Sequence, residues 1–378
     1  MELDEIRHEV DEIDSQLIRL FEKRMKASKE IAEIKIAKGL SILNSKRETD
    51  ILDNISKAVS EEYSVYAYSF FKYILDLSKN KQRDVIRQSS TENNFFLNII
   101  NNPVKEKVHP QVMAQGVLGA YSGAASMAMY PDSKLSFVEK WEDVLNAISD
   151  GISNYGILPV ENSAAGSVTE VYDLLLRHKL YVVKAVTVPV DHYLLGVRGS
   201  NINDIKEVYS QSHALTQCNG FLNKHYKMNK MPYVNTAMAA QMVAQEGNKT
   251  KAAIASKECA HLYGLDILSE SIQDSHQNCT RFISVSKNFE SHYEANKISV
   301  VFTLPHITGS LYRTLSKFAF NGLNLTKIES RPNVEKNFEY FFYLDFTGSL
   351  KSENTVKLLS ALSQELPNFY FLGNYFEA

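Results

Sequence analysis

The chain has 378 residues, 44% of them hydrophobic and 22% charged, with a formal net charge of −3. That length exceeds a single hydrophobic core and predicts two or three domains, and the near-neutral charge excludes a general attraction to nucleic acid or an anionic membrane. The opening MELDEIRHEV is acidic and amphipathic, unlike a secretory signal, and no apolar run reaches the length of a membrane span, so a cytoplasmic protein is expected.

Residues 3–38 read as one helix without Pro or internal Gly, ending at Gly39. Ile6, Val10, Ile13, Leu17 and Leu20, then Ala27, Ile31 and Ile34, recur at alternating spacings of four and three, the seam of a coiled-coil-like helix. Arg24 stands where that count puts an apolar knob. Either it sets register, or an anion meets it, because a lone cation in an apolar seam is costly. Lys35 lies on nearly the same face ~16 Å farther along, so the two cations could bracket a small dianion. A second helix is expected from near Asn44, where Ser45 and Glu48 fit a capping box. A third runs from about Tyr63 to Arg87, with Ser78 and Gln82 one turn apart on one face. Residues 89–111, rich in Asn and Ser, read as a linker.

From 112 to 288, short strands (YGILPV, LYVVKAVTV, KAAIAS) alternate with helices such as TAMAAQMVAQ, an α/β pattern. Polar residues recur where strands give way to helices: Tyr121 and Ser122 in GVLGAYSGAAS, Glu161, Asn162 and Ser163 in ILPVENSAAGSV, and the stretch YSQSHALTQC. A fourth is NCTRFISVSK, which reads as a half-buried edge strand with Thr280 and Arg281 at its mouth. Any one of these is an ordinary turn or cap. Four in one region predict a ligand cleft. From Lys297 the expected order is strand (298–304), helix (309–320), strand (323–332), strand (338–347), helix (352–365), strand (369–376), a ferredoxin-like βαββαβ module. Cys218, Cys259 and Cys279 contain no CxxC pair and read as reduced thiols. No metal-ligand spacing, GxGxxG or P-loop pattern is present, so neither metal nor cofactor is expected.

The first 88 residues resemble the all-helical chorismate mutases through IRHEVDEID, Arg24, Lys35, KRETDIL and the late SKNKQ. The resemblance implies that Arg7, Arg24, Lys35, Asn44, Arg47, Glu48, Ser78 and Gln82 surround chorismate. Arg7, Arg24 and Arg47 would address its carboxylates, Glu48 and Ser78 the ring hydroxyl region, and Lys35 and Gln82 the ether oxygen, the last two being the catalytic pair. Asn44 stands where that family often has an acidic residue; it keeps a hydrogen bond but not the charge. The chemistry fits such a roster, since an intramolecular rearrangement needs a held conformer and donors for negative charge developing on the ether oxygen, not a nucleophile. Helix geometry adds a consequence. Arg7 lies ~25 Å from Arg24 and ~42 Å from Lys35 along one helix, beyond the reach of an arginine side chain. If all three touch one substrate, Arg7 must come from a second, antiparallel chain, and an intertwined homodimer or higher homo-oligomer is expected.

The middle region resembles prephenate dehydratase through GAYS, PVENS, SQSHALTQC, TAMAA, YGL and NCTRF, in that order. SQSHA departs from the commoner Ser-His-Pro-Gln-Ala form at Gln211, Ser212 and His213. The resemblance implies two lobes around a cleft that binds prephenate through Tyr121, Ser122, Glu161, Asn162, Ser163, Thr280 and Arg281, with Thr280 catalytic. A threonine hydroxyl is too weak an acid to act by ionising, so Thr280 is expected to donate a hydrogen bond to the departing ring hydroxyl. Arg281 is expected either to meet the pyruvyl carboxylate or to hold the Thr280 segment. The last module resembles an ACT domain of the dehydratase type, and the resemblance implies a phenylalanine effector bound by Gly309, Ser310, Leu311, Glu329, Ser330, Arg331 and Pro332. The whole chain thus resembles the bifunctional chorismate mutase–prephenate dehydratases. Two rivals remain at this point: a cytoplasmic amino-acid-binding regulator without catalysis, and a mutase fused to a dehydrogenase, which would need the missing dinucleotide fingerprint.

Overall fold

The computed structural model describes residues 3–40, 45–89, 95–101, 104–290, 292–333, 336 and 338–377, without the side chains of 45, 84 and 86–89. It divides into two compact units, Met1–Asn94 and Phe95–Ala378.

The first unit holds three helices, α1 (Leu3–Lys38), α2 (Ser45–Ala58) and α3 (Ser64–Ser89). Asp4 and Glu5 in the first turn of α1, and Lys35 and Lys38 in its last, oppose the helix dipole. Gly39 then takes φ +62° and closes the end through Gly39 N to Ile36 O and Leu40 N to Lys35 O, a turn that favours glycine. Only the later part of α1 packs within the chain: Ser28 and Ala32 are buried, and Arg24, Met25 and Lys35 are half-buried. Every residue from Leu3 to Lys23 is exposed. The expected seam is therefore uncovered within one chain, with Val10 and Ile13 each 48% and Leu20 63% exposed.

The second unit begins with a difference from the sequence reading. Inside the expected linker lies a helix, α4 (Phe95–Asn101), whose Phe96 is only 1% exposed. There follow β1 (Gln111–Gln115), α5 (Tyr121–Met129), β2 (Lys134–Val138), α6 (Trp141–Ser149), β3 (Tyr155–Asn162), β4 (Gly166–Ser167), α7 (Thr169–His178) and β5 (Tyr181–Pro189). The chain then crosses into a second lobe made of β6 (Tyr193–Gly196), β7 (Glu207–Ser210), α8 (Ser212–Gln217), α9 (Asn219–Lys224), β8 (Asn229–Pro232), α10 (Thr236–Glu246), β9 (Lys251–Ala255), α11 (Lys257–Tyr263) and β10 (Asp266–Ser269). It returns as β11 (Cys279–Ser286), and the βαββαβ module is β12 (Lys297–Thr303), α12 (Ser310–Phe320), β13 (Leu325–Pro332), β14 (Tyr340–Thr347), α13 (Glu353–Glu365) and β15 (Tyr370–Glu377).

The second lobe has its own five-stranded sheet, ordered β10-β6-β9-β7-β8. The first lobe and the module share one sheet, ordered β13-β14-β12-β15-β5-β11-β3-β1-β2, with β4 added to β3. The join is the parallel pairing of β15 with β5, at Phe376 with Lys184 and Glu377 with Ala185. Close approach is possible there because Gly373 has no side chain; a Cβ would stand 2.1 Å from the Val182 carbonyl oxygen. One core seals the join: Val160, Tyr172, Leu175 and Ile283 of the first lobe pack with Val301, Tyr343, Leu372 and Tyr375 of the module.

β11 is not an edge. It lies between β5 and β3, antiparallel to both, and Thr280 and Arg281 belong to the strand itself. Nor does the PVENS stretch lead straight into a helix. The Asn162 side-chain oxygen accepts from Ala164 N and Ala165 N and turns the chain into the β3–β4 hairpin, and α7 starts only at Thr169.

Candidate active sites

In the helical unit, Arg24 and Lys35 leave α1 eleven residues apart, yet their tips land four residues apart on α3. Arg24 Nη1 donates to Ser78 Oγ and, at 3.3 Å, to Ile74 O. Lys35 Nζ donates to Gln82 Oε1 at 3.2 Å, which turns the Gln82 amide nitrogen away from the lysine. Ser78 and Gln82 are buried, at 5% and 8% exposed, on the face of α3 that meets α1. Burial pulls the Arg24 pKa down from its ordinary value, although a guanidinium stays charged. This is a preformed set of donors against a helix face, with a cation at each end.

Glu48 reaches the same region through a residue the sequence reading missed. Lys79 Nζ lies 2.9 Å from Glu48 Oε2 and 2.8 Å from Asp76 Oδ1, tying α2 to α3. Its signal was faint: a lysine between Ser78 and Gln82, one turn from an aspartate. Arg47 is exposed. Arg7 is brought to none of these groups; it is 68% exposed and pairs with Asp4 at 3.0 Å. Asn44 lies outside the described residues.

In the second unit the strand register assembles the other site. Thr280 pairs with Asn162 across β11 and β3. Because the Asn162 Oδ1 is fixed by two backbone N–H groups, its Nδ2 must face the other way, toward Thr280 Oγ1 and Asn278 Oδ1, each at 2.9 Å. The threonine oxygen therefore accepts, and its own proton is free to be donated elsewhere. Ser163 closes the arrangement: its Oγ accepts from Cys279 N at 3.0 Å, and its N donates to Cys279 O at 2.9 Å. Asn278 was read as a turn residue. It is 5% exposed, and its Nδ2 has no partner among the described residues, leaving a donor unused beside Thr280.

The remaining expected residues are held differently. Tyr121 OH donates to Asp191 O at 2.6 Å, at the crossing between the lobes, and burial pushes its phenol pKa up. His192, on the same crossing, is 3.0 Å from Gln217 Oε1, and burial pulls its imidazole pKa down. Ser122 Oγ donates to Gln115 O at 2.6 Å. Gln211, Ser212 and His213 are exposed at the start of α8. Glu161 Oε1 is 3.0 Å from Lys327 Nζ. Arg281 donates from Nη1 to Asp345 Oδ2 at 2.9 Å and from Nη2 to Tyr375 OH at 3.0 Å. Burial works against its charge, but Tyr375, Asp345 and Glu377 outweigh that and raise its pKa. Both of these Arg281 partners belong to the module, on β14 and β15.

In the module, Gly309 caps α12 with φ +77°, and Ser310 Oγ donates to Pro305 O at 2.8 Å. Leu311 is half-buried, and Ser330 and Pro332 are exposed. Glu329 Oε2 accepts from Ser167 Oγ at 2.6 Å, and Arg331 Nη2 donates to Asp173 Oδ2 at 2.9 Å. A cavity of about 350 Å³ lies apart from all these residues, among Phe95, Phe96, Leu176, Tyr181, Phe369 and Phe371. Among the described residues no cluster of His, Cys, Asp or Glu could hold a metal ion, and no helix is long and apolar enough to cross a membrane.

This two-lobed α/β body, with its threonine hydroxyl set against an amide on paired strands, is of the prephenate dehydratase class: the prephenate dehydratase model matches residues 112–290. The chorismate mutase type II model matches residues 6–83. A crystal structure of prephenate dehydratase in complex with L-Phe from Arthrobacter aurescens superposes with a TM-score of 0.65 at 29% identity, covering 70% of this chain and 89% of that one. The arogenate dehydratase/prephenate dehydratase 1 of Arabidopsis thaliana is 37% identical over 281 residues, 70% of this chain and 71% of the relative. The bifunctional chorismate mutase/prephenate dehydratase of Aquifex aeolicus is 30% identical over 375 residues, 99% of this chain and 98% of the relative. The chain belongs to the bifunctional chorismate mutase/prephenate dehydratase family.

Proposed function

We propose that the helical unit rearranges chorismate to prephenate and the second unit converts prephenate to phenylpyruvate, two consecutive steps of phenylalanine biosynthesis. The observation that carries this reading is the convergence of residues distant in sequence: Arg24 with Ser78, Lys35 with Gln82, and Asn162 with Thr280. In the first site the cations hold the substrate's carboxylates, and Lys35 with Gln82 stabilises charge developing on the ether oxygen. Arg47 and Glu48 complete its rim.

In the second site carbon dioxide and hydroxide leave together, and aromatisation drives the reaction. Thr280 donates to the departing hydroxyl, and its orientation by Asn162 supports that role. Ser163 and the unused amide of Asn278 add polar contacts for the substrate, and Tyr121 and Ser122 shape the loop that faces the crossing between lobes.

The exposed first half of α1 supports a homodimer in which a second chain covers the Ile6–Leu20 seam and brings its own Arg7 to the Arg24–Lys35 site. The last module acts as an ACT-type sensor that takes phenylalanine at Gly309–Leu311 and Glu329–Pro332; the L-Phe bound to the Arthrobacter aurescens relative supports that effector. Three unpaired cysteines, two of them buried, agree with a cytoplasmic protein. Incubation with chorismate, followed by ultraviolet absorbance for prephenate and phenylpyruvate, tests the reading. A protein that binds phenylalanine but converts neither substrate would be the regulator instead.

A further inference from the structure

Side chains along a strand alternate between its two faces. Asn162 and Thr280 are register partners and share one face of the β3–β11 pair; Glu161 and Arg281 are the next register partners and share the other. Both residues on that second face are gripped by the βαββαβ module. Lys327 of β13 holds Glu161. Asp345 of β14 and Tyr375 of β15 hold Arg281, and the Glu377 carboxylate lies against its Nε. Ser299 Oγ of β12 donates to Asp345 Oδ1 at 2.5 Å. The Arg281 grip is poorly hydrated, with the Arg281 and Asp345 side chains each 11% exposed; at the other, Lys327 is 8% exposed and its partner Glu161 39%. A cavity of about 20 Å³ between Arg281, Ser299, Asp345 and Tyr375 has room for one water. The buried Arg281–Asp345 pair breaks at high cost, so it transmits a displacement instead of absorbing it.

A second connection runs beside the first. Lys327 Nζ also donates to Ser167 Oγ at 2.9 Å, and Ser167 donates to Glu329. In the β3–β4 hairpin Ser167 pairs with Glu161 and Gly166 with Asn162. Glu329 and Lys327, two apart on β13, point to the same face. An ammonium group arriving at Glu329 would compete with Ser167 and repel Lys327, loosening both holds on the hairpin that positions Asn162.

We propose that Lys327 and Asp345 couple the module to the dehydratase site, lying outside the site itself and carrying the module's ligand state to the Asn162–Thr280 pair. The proposal rests on the reading of the module as a phenylalanine sensor. The test uses the full-length chain as wild type, Lys327→Met and Asp345→Asn. Phenylalanine binding is measured by calorimetry, dehydratase rate with and without phenylalanine, and mutase rate as the control for an intact protein. In both variants phenylalanine binds within about threefold of wild-type affinity and the uninhibited rate stays within about threefold, while the inhibition at saturation falls by half or more. Lys327 lies on an edge strand, so Lys327→Met decides the matter if Asp345→Asn fails to fold. Variants that bind phenylalanine and are inhibited as fully as wild type overturn the proposal. A wild type that binds phenylalanine without inhibition overturns it too, whereas a wild type that binds none removes the sensor reading beneath it.

Discussion

Replacing Asn162 with aspartate changes one NH2 to oxygen and almost nothing in shape. The carboxylate still accepts from Ala164 N and Ala165 N, so the β3–β4 turn survives. Its second oxygen then faces Thr280 Oγ1 at the 2.9 Å that the amide nitrogen occupied. Two acceptors cannot stand at that distance without a proton between them, so the threonine hydroxyl must turn and donate to the aspartate. A hydrogen bond to a charged group is worth roughly 1.5–3 kcal/mol, and the substrate must recover that amount to win the proton back. A cost of about 2.7 kcal/mol is a hundredfold in rate. The neighbouring Asn278 can rotate its unpartnered amide nitrogen toward the new oxygen, whereas the Cys279 carbonyl, 3.1 Å from that position, loses its donor, so the variant should fold with a lower melting temperature. The assay is phenylpyruvate formation from prephenate, with chorismate conversion in the same preparation as control. Dehydratase kcat should fall about a hundredfold with the mutase rate unchanged. A variant retaining a third of wild-type kcat would refute the donated-proton argument, because Thr280 would then work without the orientation Asn162 gives it.

Thr280→Ala should abolish phenylpyruvate formation and leave chorismate conversion near wild type; equal loss of both in a folded variant removes the two-site reading. Arg7→Ala and Arg24→Ala chains, each nearly inactive as mutases, should regain about half of wild-type activity per purified heterodimer, since one site collects both lesions and the other neither. Inactive heterodimers would show that Arg7 does not act across an interface. Gly373→Ala, whose Cβ would meet the Val182 carbonyl at 2.1 Å, should lower the melting temperature of the second unit by several degrees; an unchanged melt would mean that β15 does not lie that close to β5. Glu290 has its pKa raised to about 7, first by burial and also by Glu106, against the opposing hydrogen bond from Tyr155. Its folded pKa exceeds the unfolded value, so its ionisation costs stability as pH rises from about 4 through 7. Glu290→Gln should therefore raise the melting temperature at pH 8 and change it little near pH 4, and a constant difference across that range would contradict the assignment.

Much of the architecture could be read from local pattern. An uninterrupted helix ending at Gly39, and the order of the last six elements, follow from periodicity and from where Gly and Pro stand. What local pattern could not give was set by distant partners. β11 looked like a half-exposed edge because Ser284 and Ser286 alternate with apolar residues. Both serines are buried, and Ser284 Oγ is satisfied by Tyr130 OH at 2.8 Å, a residue 154 positions away. The Asn-rich stretch concealed α4 because one phenylalanine, Phe96, anchors it against β15. Arg281 read equally well as a substrate ligand or as a brace, since Asp345 and Tyr375 lie 64 and 94 residues downstream. The Asn162–Thr280 pair was visible as two motifs, but only strand register makes them one site.

The pairing of β15 with β5 also governs when the second unit can finish folding. Glu377 joins Ala185, so this contact closes a loop of about 190 residues, among the longest-range pairings in the chain. On a ribosome, β1 to β11 emerge well before their last neighbour exists, and until then β5 presents an unpaired edge in the middle of the future sheet. The helical unit has no such debt within its own chain, since its last helix, α3, ends at Ser89. Translation therefore releases one half whose three helices are already present and another that must wait for its last strand. Chains cut short before Tyr370 would leave both β5 and β12 with open edges and should be found chiefly in aggregates or in the hands of chaperones.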